Sequence, residues 1–92
     1  MKEKFIKNLK NEGFVHIFEW TDKPDTVYEE HSHKGRVSFY VIRGSILISI
    51  NGIDKVVEVG GRIDVPLGVS HTAKVGKEGC IFIVGEDIEG DS

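Results

Sequence analysis

The chain has 92 residues, four histidines, one cysteine and a net charge of −3 at neutral pH. That length suits one small domain with one core and leaves no room for a second. Lysines and acids are interspersed, so there is no basic stripe of the kind a nucleic-acid binder sets against phosphates, and the lone Cys80 excludes an internal disulfide or a CxxC zinc site.

Taken in chain order, residues 1–12 form the only stretch with helical spacing. Phe5, Ile6 and Leu9 share a face, but a segment this short does not hold a helix alone and must dock or fray. Neither this segment nor any later one carries an apolar run long enough for a signal peptide or a membrane span. With a single cysteine, the chain as written is expected to be mature, cytoplasmic and without a membrane partner.

From residue 13 onward, short apolar runs with period-two patterning alternate with Gly, Asn, Asp and Pro. Strands are expected at 14–20, 26–33, 37–44, 45–50, 54–59, 62–66, 70–75 and 80–86. Asn51-Gly52 is the pair that best tolerates the positive φ angles of a type I′ hairpin. Gly60-Gly61 and Pro66-Leu67-Gly68 punctuate the next connections. The pattern predicts a single all-β sandwich or barrel over residues 1–92, compact from about 13 to 86, with a polar tail at 87–92 expected to fray.

The chemistry lies in the histidines. On a strand, His31 and His33 would project from the same face and could share one ion. His71, just past the Pro66-Leu67-Gly68 turn, sits on a strand that a sandwich could bring opposite them. Three neutral imidazoles would form one face of the coordination sphere of a divalent ion and leave positions open for water or a ligand. Glu29 shares the strand parity of the pair and could reach the ion, although a solvated carboxylate is the plainer expectation. His16 has no evident partner and is expected to be structural.

Tyr28, Phe39, Tyr40 and Trp20 could line a pocket, Phe39 first because it shares parity with Val37, yet aromatics on strands are ordinarily core. Arg36, Arg43 and Arg62 are the only arginines. One at a barrel mouth could grip an anion, and solvent is the default for each. Cys80 is expected to be a small buried hydrophobe.

The order His31-x-His33, Gly44, then Gly60-x5-Pro66-x-Gly68-xx-His71 resembles the two motifs of the cupin superfamily. The resemblance spans residues 31–71. It implies a small jelly-roll β-barrel with a site inside it, commonly dimeric, that often binds iron, manganese, nickel or zinc. Carried onto this chain, the metal ligands would be His31, His33 and His71.

The departures from the motifs are specific. Where the first motif places a glutamate, after three or four intervening residues, this chain has Val37 and Ser38. Asp25 stands for the leading glycine, Gly61 for an aspartate of the second motif, and Val75 for its closing asparagine. Some cupins bind metal with three histidines alone and others bind none.

An ion held by three neutral imidazoles keeps its full +2 charge and would favour a small anionic or chelating ligand. Val37 would make the interior drier and raise the cost of an uncompensated charge. The leading expectation is therefore a small metal-binding cupin that takes a small anionic organic ligand. A metal-free ligand-binding or structural module, an Fe(II) three-histidine dioxygenase, a Lewis-acid isomerase and an accessory domain acting with a separate partner all remain open. No general base is evident, and Glu29 and Ser38 are the first candidates. A homodimer, paired through an N-terminal strand or an outer sheet face, is expected.

Overall fold

The computed structural model describes residues 1–87; the predicted fraying of the tail from residue 88 on falls outside them. A single helix, α1 (Lys2–Asn11), precedes six strands: β1 (His16–Asp22), β2 (Val27–His31), β3 (Val37–Ile50), β4 (Ile53–Glu58), β5 (Arg62–Val65) and β6 (His71–Glu86). All strand pairings are antiparallel. None of the described helices is long and apolar enough to cross a membrane.

The two longest strands form the spine of both layers. Residues 80–86 of β6 pair with β1 on one side and with the first half of β3 on the other, and β5 adds to the far side of β3. Residues 71–75 of β6 pair with β2 and with the second half of β3, and β4 adds beyond it. One ladder is thus folded over on itself into a two-layer jelly roll.

The strands expected at 37–44 and 45–50 are therefore one, and so are those expected at 70–75 and 80–86. Gly44 and Gly79, both at φ 77, bend β3 and β6 without breaking them, and the β3–β6 register slips between Val41 and Arg43 and again between Gly44 and Ile46. Such bulges re-aim every side chain that follows. In β3 the positions that enter the main core run Val37 and Val41 before the corner and Ile46 and Ile48 after it, and in β6 Val75 gives way to Cys80 and Phe82. Between the layers these side chains, with Val57, Ile63 and Val65, form the main core.

A second core lies outside the first layer, under α1. Phe5, Leu9, Phe14, Tyr40 and Ile83 pack together there, with Phe5 stacked on Tyr40 at 4.0 Å between ring centroids. The helix ends in a Schellman motif: Gly13, at φ 83, donates to the Lys10 carbonyl and Phe14 to the Leu9 carbonyl. Covering this layer on both faces explains why VSFYVI and CIFIV read as near-continuous apolar runs.

Two arginines fasten the helix end. Arg62 pairs with Glu12 and Asp64 and donates to the Tyr40 hydroxyl at 2.8 Å. Arg36 lies over the Phe14 ring, pairs with Asp87 and donates to the Glu12 carbonyl. Asp87, expected to fray, also accepts from the Val15 amide. The Asn51-Gly52 hairpin forms as expected, with both residues at positive φ.

A Cβ at Gly44 would lie 1.9 Å from the Gly79 carbonyl oxygen, whereas at Gly52, also at φ 77, it would meet nothing within 4 Å. Gly52→Ala is expected to lose about 1–2 kcal/mol from backbone strain alone. Gly44→Ala should lose roughly 3 kcal/mol or more, or fail to fold, because overlap adds to the strain. Urea denaturation of the two variants measures the difference.

Candidate metal centre and cavity

The ligand nitrogens of His31, His33 and His71 lie within 4.8 Å of one another. His31 closes β2 and is the ladder partner of His71, which opens β6. His33 lies beyond the strand, contrary to the expectation of a strand to residue 33. Its loop is held by the Gly68 amide, which donates to the His33 carbonyl at 3.0 Å, so the Pro66-Leu67-Gly68 turn braces the histidine loop.

Hydrogen bonds fix the tautomers of two rings. His31 Nδ1 contacts the Glu29 carbonyl at 2.6 Å and His71 Nδ1 the Val69 carbonyl at 3.2 Å. A carbonyl only accepts, so these Nδ1 atoms carry protons, and in the neutral ring Nε2 keeps the free lone pair, the arrangement usual in metal-binding imidazoles. His33 Nδ1 is the only buried side-chain nitrogen or oxygen without a partner among the described residues. Burial, and then the neighbouring histidines, hold the His33 pKa below its ordinary value. Burial does the same for His71 against the contrary pull of the Val69 carbonyl. Both effects favour the neutral, ligating form.

The cluster opens onto a cavity of about 390 Å³ between the layers, a size suited to a small organic molecule. Phe18, Trp20, Tyr28, Phe39 and Phe82 form much of its wall. Phe39 and Phe82 meet edge to face at 5.2 Å. Asp22 lies toward the corner end, beside Cys80, and accepts from Trp20 Nε1 at 2.9 Å and from the Tyr28 hydroxyl at 2.6 Å. Burial, reinforced by Asp22, pushes the Tyr28 hydroxyl and the Cys80 thiol each up to about 12, which keeps both protonated at neutral pH.

No protein-family model matches this sequence, and no curated protein does. Solved structures do. An RmlC-like cupin from Shewanella frigidimarina aligns over 83% of this chain and 68% of its own, with TM-score 0.71 and 20% identity. The chain has the cupin fold. The cupin domain of Schizosaccharomyces pombe Cnp3 (TM-score 0.74, 19% identity) aligns over 85% of this chain, which spans 55% of that domain. KdgF from a Halomonas species (TM-score 0.68, 15% identity) aligns over 79% of this chain and 69% of its own.

Within this cupin fold several residues stand elsewhere than the sequence suggests. The β2–β6 register slips between Tyr28 and His31, so Tyr28 and not Glu29 shares the inner face with His31. Glu29 is exposed on the outside. Ser38 also points away, its hydroxyl bonded to Asp64, so neither of the two candidate bases reaches the cavity. No arginine lines the cavity either: Arg36 and Arg62 clamp α1 and Arg43 is exposed. Of the four aromatics, Trp20, Tyr28 and Phe39 line the cavity and Tyr40 packs under the helix. His16 is exposed and apart from the cluster.

Val37 occupies the place of the cupin glutamate and is buried in the main core. The residue that sequence reasoning missed is Glu86, which lines the cavity and is the ladder partner of Val37. Its signal was faint: it is the third of the alternating inward positions of CIFIVGE that begin at Phe82.

In the metal-free protein the lowered His33 and His71 values set a pH dependence. The unfolded chain binds more protons below the ordinary 6.5, so their contribution to stability is complete above that pH and is lost as pH falls through the window beneath it. The melting point should fall between neutral pH and about pH 5, and His33→Asn should flatten that slope.

Proposed function

We propose that His31, His33 and His71 hold a divalent ion, Fe, Mn, Ni or Zn, and that a small organic ligand in the cavity completes its sphere. The observation that carries this reading is the gathering of one nitrogen from each of three imidazoles within 4.8 Å, two of the rings being bonded to a carbonyl through Nδ1, which leaves Nε2 to ligate. Such an ion would supply Lewis acidity or, as iron, redox chemistry to an oxygen donor bound to it. Three neutral ligands leave its charge at +2, which favours an anionic donor atom. Val37, Phe39 and Phe82 would keep water from the bound end of the ligand. The competing reading, a metal-free ligand-binding module, draws on Val37 in the carboxylate's place.

Two copies pairing through the outer face of the second layer is the assembly we propose. Val27, Leu47 and Val56 are exposed there, joined into one cross-strand row by Lys74. Light scattering of the purified chain reads the stoichiometry.

Metal analysis of untagged protein, purified without chelator or nickel resin, tests the main reading. Wild type should carry about one ion per chain and His33→Ala should lose it. Val37→Glu should bind more tightly. Chelation should lower the stability of wild type by about 2.7 kcal/mol relative to free ion at a hundredfold excess over its dissociation constant. Wild type that stays metal-free after reconstitution, while Val37→Glu binds, would establish the metal-free module instead.

A further inference from the structure

The cavity contains one carboxylate that nothing in the described residues engages. Two acids line the wall, and Asp22 is committed on both oxygens, to Trp20 and Tyr28. The Glu86 side chain takes part in no hydrogen bond or ion pair among the described residues. It projects inward near the end of β6, with Val37 opposite on β3 and His16 opposite on β1, and His16 forms no ion pair with it. No lysine or arginine lines the cavity to balance it.

Its surroundings are aromatic. Phe18 and Phe39 both pair with Val84, two residues before Glu86, and therefore stand diagonally beside it on the inner face. The histidines lie on the other layer. His71 and Ile50 are partners at the end of the second layer farthest from the Gly44 corner, and Val37 and Glu86 are partners at the matching end of the first. Glu86 thus faces the histidine cluster across the mouth of the sandwich, where inner faces lie about 10 Å apart.

A second anionic group on a ligand would meet an unbalanced carboxylate in a largely apolar cavity, with no cation to offset it. A protonated amine would instead gain a charge-assisted hydrogen bond from Glu86 and a cation–π attraction from the flanking rings. We propose that the cavity binds a small ligand with an apolar body and a protonated amine, the ammonium held by Glu86 between Phe18 and Phe39. This deepens the ligand part of the function proposed above and rests on the cavity alone, not on the ion. A molecule with an oxygen anion at the histidine end and an ammonium at the Glu86 end satisfies both walls.

The chain has a single tryptophan, Trp20, and it lines the cavity. Its fluorescence reports binding. Metal-free protein, at about pH 8 so that the amine of the probe stays protonated, is titrated with benzylamine, benzyl alcohol and benzoate, with calorimetry on the same pairs. Benzylamine should bind about tenfold tighter than the alcohol and benzoate should be weakest. The isosteric Glu86→Gln variant, its fold checked by its melting point, should bring the amine level with the alcohol. An amine that binds no tighter than the alcohol, or a preference that survives Glu86→Gln, overturns the proposal. Because no ion is present, the result stands apart from the metal analysis: either reading can fail while the other holds.

Discussion

The approach of Gly44 to the Gly79 carbonyl is the constraint on which the rest of this molecule depends. Two strands long enough to run through both layers turn a corner at the same height, one against the other, and a side chain at Gly44 would occupy the space of the carbonyl oxygen. Because the strands bend and do not end, their pairing resumes on the far side of the corner, Gly44 with Cys80 before it and Ile46 with Val75 after it. The bulges at the bend change which residues face inward. Without that change, the sequence of β3 would place Leu47 in the core and Ile46 and Ile48 in solvent.

The corner also decides what confronts what inside. It sets the beginning of β6 in one layer and its end in the other, so that His71 and Glu86 belong to one strand yet look at each other across the interior. Cationic side chains are kept outside, where Arg36 and Arg62 fasten the helix, and the interior is left with imidazoles, aromatic rings and two acids. Val37 packs within the core cluster, which gives the fold no need of a carboxylate at that position.

Much of this was legible in the sequence where the backbone itself demands a residue type. Gly44, Gly60 and Gly68 all have positive φ, and so does Asp25, which stands where the cupin motif has a glycine; aspartate is among the few residues that tolerate that region. The histidine cluster was legible for a related reason, since the motif ties His71 to the Pro66–Gly68 turn and that turn braces the loop of His33. What escaped was whatever depends on register. The bulge between Tyr28 and His31 leaves no mark in the residues, so strand parity pointed Glu29 inward when it faces out. Glu86 could not be matched with the site because its relation to Val37 exists only in the β3–β6 pairing. The long strands were divided at Gly44 and Gly79 because a glycine that bends a strand and one that ends it look alike in sequence.

The position of Arg36 carries a consequence for how the molecule breathes. It lies in the loop between His33 and Val37, and its guanidinium joins the end of α1, the Phe14 ring and Asp87. The helix terminus, the histidine loop and the end of β6 therefore share one fastening, and elements fastened together are expected to open together. Slow amide exchange in the Leu9–Phe14 cap and in the end of β6 should rise and fall together.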